Sequence, residues 1–230
     1  MAQVPGESRM IGVCIPAHNE QNDIGLCLAA IARAASHPDL LDERVKTVVV
    51  LDACTDLTDQ VVRAWPVTRL NKNYRNVGLA RAAGARYLLA SGARWLAFTD
   101  ADTVVSDAWL VHQLSLRASV VCGTVSIANW ACDGPHAARA QASFLAHYQD
   151  RDGHRHVHGA NLGMDALVYQ RLGGFDSLAC SEDQALVDKL ERAGVTIAWT
   201  ALPRVVTSAR LYSRVEGGFA TALRQAWVAD

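Results

Sequence analysis

The chain has 230 residues, half of them apolar, and a net charge of −1. It can therefore bury a sizeable core, and it lacks the basic excess of a nucleic-acid or anionic-membrane binder. No run approaches the roughly 20 apolar residues of a membrane helix, so no transmembrane segment is expected.

MAQVPGESRM, at the start, has no charged-then-apolar signal layout. MIGVCIP (10–16) is an apolar strand closed by Pro16. Ile24, Leu28, Ile31 and Ala35 follow at helical spacing. KTVVVLD (46–52) is a β-branched run without polar alternation, the pattern of a central strand covered on both faces. A short helix over 55–64, a strand at VTRL (67–70) and a helix over 78–90, stopped by Ser91-Gly92, come next. WLAFTD (95–100) is a fourth strand. Ser106 is placed to N-cap a helix running to Arg117, and SVVCGTVSIA (119–128) is another strand. This βαβα rhythm predicts an α/β fold with a mostly parallel central sheet and helices on both faces.

The later chain is less regular. Residues 135–149 read as a helix, HRHVHGANLG (154–163) as a short strand or loop, and MDALVYQRLGG (164–174) as a helix with a glycine stop. SEDQALVDKLERAG (181–194) has Ser181 and Gln184 spaced for a capping box. VTIAWT (195–200) and PRVVTSA (203–209) read as two strands, and Phe219 onward as a last helix. There is no repeat, low-complexity tract or linker. The expectation is one domain over 1–230, with a change of texture near 130. The six cysteines (14, 27, 54, 122, 132 and 180) include no CxxC pair. They read as reduced, mostly buried thiols, which makes a cytoplasmic location the default.

Ligands of open α/β sheets sit at the carboxyl ends of the strands. Those ends here carry PAHNE, LDACTD and TDADT, all polar and acidic. Asp100 and Asp102, two apart, can face one side, where like charges repel and resist desolvation. A hard cation such as Mg²⁺ or Mn²⁺, shared between carboxylates and substrate phosphates, would offset that. A solvated loop with a capping aspartate is the plainer reading, and the neighbouring acidic strand ends favour the cation. Asp52 would accept a hydrogen bond from a base or ribose, or simply make a strand-end turn; Asp56 and Asp59 read as capping, solvent-facing residues. Pro16 to Glu20 fit either a nucleotide pocket or a helix start. Arg81 could meet a phosphate or base, or lie on a solvated helix face, the better reading for Arg86. Glu182 and Asp183 suit a helix first turn or a general base at a pocket edge. His154, His156 and His158 alternate, so they could share a face and bind zinc; a substrate contact by His158 is the better reading.

Together these segments resemble the family-two inverting glycosyltransferases with a GT-A fold. IPAHNE resembles the first-strand donor motif, and VVVLDACTDLT the second-strand DD-x-S-x-D-x-T pattern. RNVGLARAAGAR resembles the N-x-G-x-x-x-A-R-N-x-G helix, and FTDADT the metal-binding DxD. GANLGMDALVYQRLGGFD resembles the acceptor-side segment, and SEDQAL the ED motif that holds the base. The resemblance covers roughly residues 10 to 210.

It implies a single GT-A-like, Rossmann-type domain with a nucleotide-sugar half (10–130) and an acceptor half (131–230). Pro16, Ala17 and Glu20 would line the nucleotide pocket and Asp52 meet the nucleobase, often uracil. Arg81 would lie near the base or phosphates, and Asp100 near the ribose. Asp102 would bind Mg²⁺ or Mn²⁺ against the diphosphate. Gly159, Ala160 and Asn161 would border the sugar and acceptor beside Glu182, with Asp183 as the base. The implied activity is metal-dependent, inverting, hexosyl-type transfer from a nucleotide-sugar donor, a UDP-sugar first, to the hydroxyl of an unnamed acceptor. The chain departs from the pattern in places. Ala53 follows Asp52, Ala82 and Ala83 stand where Arg-Asn is common, and VVTSARLYSR offers no histidine as a further metal ligand. No membrane helix follows Phe219, which argues against a processive polysaccharide synthase.

Two rival classes share parts of this pattern. A haloacid-dehalogenase-type phosphatase also carries D-x-D-x-T at a strand end, with Asp100 as nucleophile and Asp102 as acid/base. That motif usually opens the chain, and the required downstream lysine has one candidate, Lys189. A non-catalytic nucleotide-binding module would keep Asp52 but need neither the DxD pair nor Asp183.

Overall fold

A computed structural model describes residues 10–41, 43–130, 146 and 148–209. Eight strands form one sheet: β1 (Met10–Ala17), β2 (Arg44–Asp52), β3 (Thr68–Lys72), β4 (Trp95–Phe98), β5 (Thr103–Val105), β6 (Val120–Trp130), β7 (Leu162–Asp165) and β8 (Ile197–Ala209). The helices are α1 (Ile24–Ala35), α2 (Thr58–Arg63), α3 (Val77–Ala90), α4 (Trp109–Ser115), α5 (Ala166–Arg171) and α6 (Glu182–Arg192). The strand order is β3-β2-β1-β4-β7-β6-β8-β5. Pairs β1–β2, β1–β4, β2–β3 and β6–β8 are parallel; β7 runs antiparallel to both its neighbours and β5 antiparallel to β8. The mostly parallel α/β sheet expected from the βαβα rhythm is present.

Alternation along β1 explains the layers. Ile11, Val13 and Ile15 pack in one core with α1 and Trp109 of α4. Met10 and Cys14 point the other way, into a second core with Ala80, Ala85 and Leu88 of α3 and Leu186, Val187 and Leu190 of α6. Both faces of the sheet are thus covered, as a continuous apolar run requires. At Gly84 of α3 a Cβ would lie 2.3 Å from Cys14 Sγ, so glycine lets that helix approach β1 closely.

Several local expectations are corrected. Met164 does not begin a helix: Leu162–Asp165 is a strand, and α5 starts at Ala166, where Asp165 Oδ1 accepts the amides of Leu167 and Val168. Four residues are too few for strand periodicity to show against a following helix. VTIAWT and PRVVTSA join into the single strand β8, with register shifts against β6. Ser106 does not cap α4; Ala108 holds the N-cap position, and Ser106 N donates instead to Arg204 O at 3.0 Å. The capping box at Ser181 does not form, because Ser181 is left-handed (φ 58°) and caps nothing with its side chain. β5 is an unforeseen edge strand. The helix expected over 135–149 lies almost wholly, and the last helix entirely, outside the described residues. Among the described residues no helix is long and apolar enough to cross a membrane.

Candidate active site

The carboxyl ends of β1, β2 and β4 meet on one rim. His18 Nδ1 lies 2.6 Å from the Asp52 carbonyl oxygen, joining the first two. Asn19, itself left-handed at φ 56°, accepts the Thr55 amide at 2.8 Å. The Glu20 amide donates to Thr58 Oγ1 at 2.7 Å, and the Gln21 amide to Asp56 Oδ2 at 3.2 Å. The post-β1 loop is therefore laced to the start of α2 before any ligand binds, and Asp56 caps that helix start, accepting the Thr58 amide at 3.0 Å.

Asp52 is buried and accepts three backbone amides. Tyr74 N donates to Oδ1 at 2.5 Å, Arg75 N to Oδ1 at 3.1 Å, and Asn76 N to Oδ2 at 2.9 Å. It thereby shapes the loop that leads into α3, where Asn76 caps the helix by accepting Leu79 N at 2.9 Å. Ala53 (φ 52°) and Arg75 (φ 50°) on either side are left-handed. That conformation costs a non-glycine residue of order 1 kcal/mol, and the surrounding hydrogen bonds must hold it.

Arg81, on the first turns of α3, is buried at 3% exposure. Its Nη2 donates to Asp100 Oδ1 at 2.5 Å, and its Nη1 pairs with Glu182 Oε1. Burial opposes the arginine charge, and Asp100, Glu182 and Asp183 more than offset it, so the pKa is raised. For Glu182 burial pushes the carboxyl up, while Arg81 acts in the opposite direction. This is neither a solvated helix face nor an open phosphate clamp: two of the guanidinium nitrogens are committed to carboxylates.

Asp100 and Asp102 follow β4, both half-buried. Cys27 of α1 lies beneath; its Sγ donates to Asp100 O at 3.4 Å. Burial raises this thiol's pKa first, and the charges of Asp102, Asp100 and Glu20 raise it further. Three carboxylates thus gather over the start of α1. Thr103 Oγ1 lies 3.5 Å from Asp102 Oδ1 and 3.2 Å from Thr207 Oγ1, which ties the loop to β8. Among the described residues no group of three or more metal-ligating side chains assembles. The donor set nonetheless fits a hard cation: Arg81 engages Asp100, Asp102 supplies carboxylate oxygen, and Mg²⁺ needs only one or two carboxylates when diphosphate and water complete its shell.

On the opposite side, Asp183 Oδ2 accepts the Gly159 amide at 2.8 Å and Oδ1 accepts Gln184 N at 2.8 Å. Gly159 and Ala160 are buried in the short turn before β7. Asn161 is a tie, not an open contact. Its Nδ2 donates to Thr124 O (2.7 Å) and Pro203 O (2.8 Å), and its Oδ1 accepts Trp109 Nε1 at 2.9 Å.

The three histidines form a column of rings, not a metal cage. His154 to His156 is 5.6 Å and His156 to His158 is 6.1 Å between centroids. His154 Nε2 lies 3.1 Å from Cys122 O and 3.3 Å from Thr200 O, so it carries the proton. Its Nδ1 accepts the His156 amide at 3.1 Å, and His156 Nε2 accepts Gln149 N at 3.0 Å. Tyr148 was missed by sequence reasoning because nothing in its neighbourhood marks it. Its hydroxyl accepts Val125 N at 2.7 Å and lies 3.0 Å from His158 Nε2. Burial, aided by His156 and His154 and opposed by Asp183, pushes the His158 pKa down to about 4.

A profile of glycosyl transferase family 2 matches residues 12–170. The chain belongs to glycosyl transferase family 2. The fold is similar to that of S. aureus TarS 1-349 in complex with UDP-GlcNAc, with TM-score 0.65 and 14% identity over 91% of this chain and 61% of that one. It is also similar to the mannosyltransferase PcManGT from Pyrobaculum calidifontis in complex with GDP-Man and Mn²⁺, with TM-score 0.64 and 20% identity over 90% of this chain and 58% of that one. At such identities the likeness shows the fold, a GT-A fold, and the match spans about three fifths of each neighbour's length. Comparison with curated protein sequences finds no match. As a family 2 chain, it carries its DxD after β4 in fourth place, not at its first strand as the phosphatase reading would want.

Proposed function

We propose that this family 2 chain is a metal-dependent, inverting glycosyltransferase of the hexosyl type. The observation that carries it is the convergence of Asp52, the Asp100/Asp102 pair and Asp183 around one rim of a GT-A fold. A non-catalytic nucleotide module would account for the first of these only.

The donor would lie over the 10–130 half, with Pro16, Ala17 and Glu20 along the nucleotide. Asp52 supports a uracil base. A carboxylate offers about four acceptor sites, and three are taken by the amides of residues 74–76. One site matches the single N3–H of uracil, whereas guanine presents two adjacent donors, N1–H and N2–H. Asp102 would hold Mg²⁺ or Mn²⁺, with Asp100 turned toward the ribose. The metal, when bound, stabilises charge on the departing diphosphate. Gly159 and Ala160 would border the sugar and the acceptor.

Asp183 is the base in this reading. Each of its oxygens accepts one amide, which fixes the carboxylate and leaves a lone pair on each. The acceptor oxygen forms a bond to the anomeric carbon as its proton passes to Asp183. The bond from that carbon to the diphosphate oxygen breaks, and a single attack inverts the configuration.

Thermal shifts with UDP and GDP, each with and without Mn²⁺, test the reading. UDP with Mn²⁺ is expected to stabilise most, by about 2.7 kcal/mol at a hundred times its dissociation constant. Asp102→Ala is expected to abolish the metal dependence. A wild-type protein indifferent to both nucleotides, or a mutant that still responds to Mn²⁺ as wild type does, overturns it.

A further inference from the structure

One cation bridges the two halves of the site. Arg81 comes from the donor-side helix α3, Asp100 from the loop after β4, and Glu182 from the first residue of α6, a hundred and one positions further on. Phe175 lies under the guanidinium, with Cζ 5.8 Å from the ring centroid. Gly159 presses from above: a Cβ there would sit 2.3 Å from Arg81 Cζ. The same Gly159 gives its amide to Asp183. Arg81, Glu182, Asp183 and Gly159 therefore form a closed ring of contacts that returns to Arg81, and Asp100 joins it through Arg81.

The ring divides three neighbouring carboxylates into two kinds. Asp100 and Glu182 each pair directly with Arg81, whereas Asp183 forms no ion pair among the described residues and is held by amides. Three unpaired carboxylates this close would repel and take up protons. A planar guanidinium can serve two of them at once, which a lysine ammonium cannot. We propose that Arg81 is a positioning residue: it clamps the first turn of α6 against the DxD loop and singles out Asp183 as the carboxylate able to take the acceptor proton. This rests on the glycosyltransferase reading above and adds to it how the base is selected and held.

The test uses two variants and three measurements. Arg81→Lys keeps one charge but loses the fork. The double variant Arg81→Met with Glu182→Met removes the buried pair together, a change that apolar replacement commonly tolerates. Thermal melting, UDP affinity in Mn²⁺, and UDP release from UDP-GlcNAc and UDP-glucose are measured for each. Both variants are expected to fold and bind UDP like wild type, while kcat for UDP release falls by about 10²-fold, the usual scale for a misplaced catalytic group, with KM for the donor held. Wild-type kcat in either folded variant overturns the proposal. So does failure of both to fold, which makes Arg81 an element of stability alone. If wild type itself neither binds UDP nor releases it, the glycosyltransferase reading fails instead.

Discussion

The amide of Gly159 donates to Asp183 Oδ2 across 2.8 Å, so the turn before β7 and the first turn of α6 are one unit. That bond gives the two acids of the SEDQAL segment separate duties. Asp183→Asn keeps an oxygen for the Gly159 amide. It is expected to leave UDP binding intact, cost about 0.3–1 kcal/mol of stability through the helix dipole, and slow transfer by about 10²–10⁴-fold. Glu182→Gln strips a partner from buried Arg81 and is expected to cost about 3–5 kcal/mol of stability, with a smaller loss of turnover than Asp183→Asn. Chemical denaturation and turnover of both mutants check this; the reverse pattern would move the base to Glu182.

Gly159→Ala places a methyl group against the Arg81 guanidinium, at 2.3 Å before relaxation. Overpacking of this kind costs about 1–3 kcal/mol. The expected result is a lower melting temperature together with a loss of turnover larger than any loss of UDP affinity. An alanine variant with wild-type turnover would show that the guanidinium can move aside without consequence.

Asp52→Asn removes the charge and one acceptor oxygen from the loop it organises. Hydrogen bonds to a charged group contribute about 1.5–3 kcal/mol each. Amides 74–76 are expected to lose hydrogen-exchange protection while those of β2 keep theirs, and UDP affinity is expected to fall. Unchanged protection at Tyr74, Arg75 and Asn76 would contradict the hydrogen bonds described.

His158 gives a pH dependence whose sign follows from its depressed pKa of about 4. The unfolded chain takes up this proton near 6.5, while the folded chain, with the ring buried beside Tyr148, His156 and His154 and despite Asp183, does not until about 4. Stability is therefore present above the unfolded value and is lost as pH falls from about 6.5 towards 4, by at most about 3 kcal/mol. Denaturation midpoints at pH 7 and pH 4.5 are expected to converge in His158→Gln relative to wild type. An equal slope in both proteins would assign the loss to other groups.

Apolar runs made β1, β2 and β4 legible from the sequence, because buried parallel strands need continuous β-branched residues. The acidic strand ends were legible for the same reason: polar groups at the end of an apolar run need a purpose. Arg81 was not. Its partners Asp100 and Glu182 are distant in sequence, and an arginine in an Ala/Leu helix reads equally well as solvated. β7 was hidden by its length and by the helix that follows. Ser181 satisfied a capping pattern, yet the left-handed turn that brings Glu182 beneath Arg81 removed the cap. Asn161 looked like a ligand contact and is a three-way brace between β6, β8 and α4.

The antiparallel insertion of β7 has a consequence for the order of assembly. Among the described residues β7 alone joins β4 to β6, so until residues 162–165 exist the described sheet is two separate pieces, β3-β2-β1-β4 and the later strands. β5, next to the DxD loop, pairs with residues 205–207 of β8. A nascent chain emerging at the ribosome therefore carries an open β4 edge from the completion of β4 at Phe98 until β7 begins at Leu162, and such edges template misassociation. Non-local pairing of this kind also slows folding. The loop that carries Asp100 and Asp102 thus gains its tie to Thr207 after the turn that carries Asp183 has been made.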